Sequence, residues 1–162
     1  MTRKPSINQT GFTLIELVML IVILGVLAAV ALPKFVNLGS DARIATVEAA
    51  KGSIATAANL AMLKCQTVPG CYVANSGVKF AGPGGVSGRM YNGFPTGRSR
   101  VPGFFGIKDW ILISGFTLTE YPTNYSEYTQ DGAPDPANCK VTYIEAKSFG
   151  GDPDITSITT GC

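Results

Sequence analysis

Residues 12–32 read FTLIELVMLIVILGVLAAVAL, a run of twenty-one residues in which Glu16 carries the only charge. No soluble domain leaves such a run in water. As a helix rising ~1.5 Å per residue it matches a bilayer core of about 30 Å, so it belongs in lipid or among other apolar helices. Ahead of it stands MTRKPSINQTG, short, polar and basic, whose Arg3 and Lys4 predict a cytoplasmic N-terminus. A secretory signal or a plain membrane anchor is the ordinary reading of such a start. Two details fit it poorly. The run is longer than a usual signal core, and PKFVNLGSDAR follows it with no small-residue cleavage site; a small residue, Gly11, precedes it instead.

The stretch GFTLIELVMLIVILGVLAAVALP, residues 11–33, resembles the N-terminal signature of type IV prepilins and the related type II secretion pseudopilins. The resemblance implies that a membrane-embedded prepilin peptidase cuts between Gly11 and Phe12 and that Phe12 is then N-methylated. It matches the signature's glutamate to Glu16, its helix-interior glycine to Gly25 and the proline ending the apolar run to Pro33. Physics agrees with an assembly role for Glu16. A buried carboxylate costs several kcal/mol unless it is paired or near the interface, and its own apolar stretch offers no cation. Cleavage would create a charged amine on Phe12, which in a fibre can meet the Glu16 carboxylate of a neighbouring subunit and penalise docking out of register. The ordinary alternative is a glutamate that snorkels or takes up a proton.

After Pro33 the pattern turns amphipathic, with Phe35, Leu38, Ala42, Ala45, Val47, Ile54, Ala58, Ala61, Met62 and Cys65 recurring at mostly three- and four-residue steps. This predicts one helix from about Phe12 to about Leu63, its second half packed on a head. Gly25 and Pro33 weaken it, through backbone freedom and a lost hydrogen bond. The result is either a kink suited to a membrane or, as the resemblance implies, a stretch that unwinds during extraction into a fibre. The expected organisation is a leader at 1–11, a hydrophobic half-helix at 12–34, an amphipathic half-helix at 35–64 and a globular β head at 65–162.

Within the head, residues 66–107 are rich in glycine and proline and predict turns. Short strands are expected in CYVANSGVKFA, DWILISGFTLTEY, NCKVTYIEA and ITSITTGC, forming an antiparallel sheet; TNYSEYTQDGAPDPA reads as a loop between strands. The fold class is therefore α+β, and a sheet on the second half of a long helix would match the pilin fold. The ending CKVTYIEAKSFGGDPDITSITTGC resembles mannose-sensitive haemagglutinin (MSHA) type pilins, as does PKFVNLGSDAR.

Four cysteines, Cys65, Cys71, Cys139 and Cys162, suggest two disulfides and an oxidising compartment. Three pairings are open, and the sequence-local one, Cys65–Cys71 with Cys139–Cys162, is the expectation. A metal cluster would have to form at irregular spacings without histidine, which the chain lacks altogether.

Net charge is +2, and Arg3 and Lys4 account for it. Charge is nevertheless segregated. Residues 79–108 hold Lys79, Arg89, Arg98, Arg100 and Lys108 with no acid, whereas 109–154 are predominantly acidic. This fits complementary faces between adjacent heads, a basic patch for DNA or surface anions, or charges balanced within one head. Asp131, Asp135, Asp152 and Asp154 are calcium candidates, although they lack the EF-hand pattern and sit in ordinary turn sequences.

With no histidine, no phosphate loop and no nucleophile beside a base, an enzyme is not expected, and no cofactor is implied. The resemblance implies a structural pilus subunit that homopolymerises into an adhesive surface fibre. It would reside in the inner membrane of a Gram-negative cell before assembly and on the extracellular pilus afterwards. Its implied partners are the prepilin peptidase and methylase, an assembly ATPase, a platform protein, minor pilins and a host or environmental surface. The alternatives are a secretion pseudopilin or a minor tip pilin that binds DNA or a ligand.

Overall fold

The structure is a computed structural model and describes residues 11–71, 79–85, 87–98 and 103–162. It divides between Gly39 and Ser40 into two units. The expected pair Arg3 and Lys4, most of the CYVANSGVKFA segment and Arg100 lie outside the described residues.

Helix α1 runs Leu14–Gln66. In the first unit it contains the apolar stretch Leu14–Leu32, none of it buried. In the second unit it is rich in alanine, the best helix former. There Val47, Ala50, Ile54, Ala57, Ala58, Ala61 and Cys65 form one buried stripe at helical spacing. The helix stops where Pro69 removes a donor and Gly70 takes a positive φ of 77°. The amides of Thr67 and Val68 close the last turn on the carbonyls of Lys64 and Cys65. Cys65 and Cys71 are joined across this stop, with their Cα atoms 5.3 Å apart.

The head's main sheet comprises β3 (Phe116–Tyr121), β4 (Tyr125–Gln130), β5 (Lys140–Ile144) and β6 (Asp154–Ile158), following two-residue strands β1 (Phe80–Ala81) and β2 (Ser87–Gly88) that pair with each other. The four strands form an antiparallel meander in the order β3-β4-β5-β6. This is an α+β architecture with a long N-terminal helix and a four-stranded antiparallel sheet, the arrangement of the pilin fold. Tyr128, Val141 and Tyr143 on the sheet's inner face join Val47, Ile54 and Ala58 of α1 in one core. Met90 and Phe105 build a second core with Ala61 and the Cys65–Cys71 bridge.

Two expectations are corrected. YSEYTQ, read as part of a loop, is the strand β4, hydrogen-bonded on both edges. Its inward residues are Ser126 and Tyr128, so its two-residue period lacks the aliphatic signature of a buried strand, and the flanking Asn, Pro and Gly mimic a loop. The segment DWILISG is not a strand; Ile107–Trp110 form a 3₁₀ turn, and pairing begins only at Phe116.

The glycine- and proline-rich connection is fixed to the sheet by side chains. Tyr143 donates its hydroxyl to the Pro95 carbonyl at 2.7 Å, and Asn92 donates its amide to the Ala146 carbonyl at 2.9 Å. Gly97 lies so close to the β3–β4 turn that a Cβ there would meet the Asn124 carbonyl oxygen at 2.2 Å. Only glycine fits that approach.

Candidate processing and assembly site

Gly11, Phe12 and Thr13 precede the first turn of α1 and are exposed, Phe12 to 86%. The peptide bond between Gly11 and Phe12 is therefore presented outside regular structure, directly ahead of the helix. The helix start is set by a reciprocal cap. The Thr13 amide and hydroxyl both donate to Glu16 Oε2, at 2.9 and 2.7 Å, and the Glu16 amide donates back to Thr13 Oγ1 at 3.3 Å. This arrangement is a capping box, and its T-x-x-E spacing is visible in the sequence as Thr13-Leu14-Ile15-Glu16. Reading Glu16 from the sequence as an assembly residue alone missed Thr13.

The cap occupies one carboxylate oxygen. Among the described residues Oε1 accepts no hydrogen bond, and no side-chain cation pairs with Glu16. Glu16 is thus anchored to its own helix start while keeping an acceptor available. Further along the first unit, Gly25 sits in uninterrupted helix with open space where a Cβ would be, and the helical backbone continues through Pro33. Leu14–Leu32 is long and apolar enough to cross a membrane.

In the head, Cys139 and Cys162 are joined, with Cα atoms 5.0 Å apart. The amide of Gly161 donates to the Asn138 carbonyl and that of Asp135 to the Gly161 carbonyl, while Arg43 Nε donates to the Cys162 main-chain oxygen. The β6 end of the head is therefore fastened both to the turn before β5 and to α1.

The charged side chains meet within the head. Lys108 pairs with Glu120 at 2.9 Å, joining the basic tract to the acidic one, and Lys140 pairs with Glu127 at 2.7 Å. Arg89 lies 5.8 Å from the centre of the Phe104 ring. The four aspartates do not converge. Asp131 accepts from Thr117 and Asp135 from Asn138, both at 2.7 Å, while Asp152 borders Ala55 and Asn59 of α1 and Asp154 opens β6. No group of three or more His, Cys, Asp or Glu side chains gathers among the described residues. Burial, reinforced by Glu145, pushes the Tyr143 phenol far above its ordinary pKa, and burial, reinforced by Glu120, does the same to Tyr128. Tyr121 is raised by donating its hydrogen bond to Glu127 and stacks on Tyr125 with ring centres 4.3 Å apart.

Comparison with known proteins adds the decisive observation. The chain is 43% identical over 61 residues to the type IV narrow pilus major component PilA5 of Thermus thermophilus, covering 38% of this chain and 53% of that protein. It is 28% identical over 93 residues to a type IV major fimbrial protein FimA of Dichelobacter nodosus, covering 57% of this chain and 60% of that one. A further FimA of the same organism is 34% identical over 65 residues, 40% of this chain and 41% of its own length. The relatives are type IV pilins. The chain spans between two fifths and three fifths of the pilins it matches. No family model and no solved structure matches it. By name these relatives are major components of a type IV pilus or fimbria.

Proposed function

We propose that the chain is a structural subunit, of the MSHA-like major class, of a type IV pilus used in adhesion. The observation that carries this reading is the apolar Leu14–Leu32 helix with no buried residue, entered through an accessible Gly11–Phe12 junction and attached to a disulfide-closed head. Before assembly the apolar half sits in the inner membrane of a Gram-negative cell. A prepilin peptidase and methylase cut after Gly11 and methylate Phe12. An assembly ATPase and platform protein then move the subunit into the fibre, with minor pilins completing it. There the Phe12 amine of one subunit meets the free Oε1 side of a neighbour's Glu16, which sets register. Gly25 and Pro33 mark the stretch of helix that yields during extraction.

Mass spectrometry of fibres sheared from the cell surface, run without reductant, tests this. The expected dominant species begins at methylated Phe12 and carries four oxidised cysteines. A mature form confined to the envelope and absent from sheared material would replace this reading with that of a secretion pseudopilin or a minor subunit.

A further inference from the structure

Asn92 and Gly93 make the only Asn-Gly step in the chain. They occupy the middle of a tight turn. Both take a positive φ, 52° and 90°, and Tyr91 and Phe94 exchange amide-to-carbonyl hydrogen bonds at 2.9 and 3.0 Å. This is a type I′ turn, which favours Asn-Gly for its backbone alone. The turn does not explain where the Asn92 side chain goes. Asn92 is 6% exposed, and its Nδ2 donates to the Ala146 carbonyl just past the end of β5. Three residues on, the Pro95 carbonyl accepts the buried Tyr143 hydroxyl. Two hydrogen bonds thus dock the glycine- and proline-rich connection on β5, and one of them runs through a side-chain amide that can be lost.

Asn-Gly is the step at which a chain most readily attacks its own side chain, because glycine has no Cβ to hinder the approach of its nitrogen. The Gly93 nitrogen gives up its proton to water and bonds to Asn92 Cγ, the Cγ–Nδ2 bond breaks, and ammonia leaves. Water then opens the cyclic imide at either carbonyl and leaves aspartate or isoaspartate. Water is the only co-reactant. The Gly93 amide donates no hydrogen bond among the described residues, so no acceptor restrains the nucleophile. The docked geometry restrains it instead. With Nδ2 fixed on Ala146 and the turn closed by two hydrogen bonds, Cγ cannot swing over the Gly93 nitrogen until the turn comes off its seat.

We propose that Asn92 is a self-modification site that acts as a one-way latch: seated it is protected, and once unseated it deamidates and cannot return. The irreversibility follows from hydrogen-bond chemistry. A carboxylate carries no donor for the Ala146 carbonyl and sets acceptor against acceptor in a buried place. Isoaspartate also lengthens the main chain within a turn of fixed length.

The test uses the full chain in detergent, incubated in mildly alkaline buffer and then digested with trypsin to give the peptide Met90–Arg98. Conversion of Asn92 is read by mass in that peptide. The folded wild type should convert about a hundredfold or more slowly than the same chain held in denaturant, the scale of two buried hydrogen bonds. Tyr143→Phe frees Pro95 and leaves Asn92 untouched; it should convert about tenfold faster than the folded wild type. Equal rates in folded and unfolded wild type overturn the proposal, as does a Tyr143→Phe rate no faster than wild type. Asn92→Asp supplies the product directly. It should raise hydrogen exchange at the Tyr91, Phe94 and Thr96 amides, all hydrogen-bonded in the docked connection, by about tenfold or more while the β3–β4 amides keep wild-type protection. Wild-type exchange at those three amides would show that the product still seats, and overturn the latch.

Discussion

In the proposed fibre Glu16 would serve two partners with its two oxygens. Oε2 completes the cap with Thr13, and Oε1 is left for the amine that cleavage would create. The two roles separate by mutation. Thr13→Ala removes the cap, a loss of about 1 kcal/mol at a helix start, and leaves the carboxylate in place, so fibre yield should drop little. Glu16→Ala removes both roles and should abolish fibres, with processing of the leader as the control readout. Equal loss in both variants would make the cap, rather than the intersubunit pair, the reason for Glu16. A second test at this scale concerns the buried phenols. Tyr143 and Tyr128 have folded pKa values raised above the unfolded value of 10.0. Their contribution is complete below pH ~10 and is lost as pH rises above it, because the unfolded chain ionises first. Alkaline unfolding should therefore steepen above pH ~10, and Tyr143→Phe should flatten that slope in a pH series of denaturation midpoints. The same variant should lower stability at neutral pH by about 1–2 kcal/mol, since the Pro95 carbonyl loses its donor.

The two disulfides differ in the length of chain they close, with sequence separations of 6 and 23. The chain-entropy model gives the Cys139–Cys162 closure about 3 kcal/mol and the shorter one nearer 2. Paired replacement by alanine should rank in that order in denaturant midpoints of detergent-solubilised protein; the reverse order would show that packing in the second core dominates. Much of this was legible beforehand. The apolar run marked the first half of α1, the alanine-rich three- and four-residue spacing marked the second, and the β-branched runs KVTYI and DITSI are β5 and β6. β4 was not legible, because its burial depends on a serine and a tyrosine whose value appears only when strands close on both sides. The DWILISG segment misled for the converse reason. Its aliphatics pack against the core from an irregular chain, with Trp110, Ile111 and Ile113 half-buried and Leu112 turned out. Of the site, Gly11, Phe12 and Glu16 stood out by motif.

At the scale of the molecule, two kinds of surface call for different conditions. The Leu14–Leu32 helix exposes only apolar side chains apart from Glu16, so in the proposed fibre assembly through it would depend on exclusion of water, which salt does not screen. The head's charges are partly spent internally, in the Lys108–Glu120 and Lys140–Glu127 pairs. Fibres should therefore withstand molar salt and come apart in detergent, followed by sedimentation. Arg98→Glu should leave that behaviour unchanged, and fibres of this variant that weaken at low salt and recover as salt is added would instead support complementary charged faces between heads.

The Cys139–Cys162 bridge bears on what happens when such a thread is pulled. Tension reaching the head along α1 would tend to peel chain away from the sheet. The bridge spans a sequence separation of 23, which encloses β5 and β6 and, fully drawn out, would represent about 80 Å of slack. With the bond closed, that slack cannot be paid out. The last two strands can yield only as one closed parcel, and their length stays out of reach of the load until a covalent link breaks.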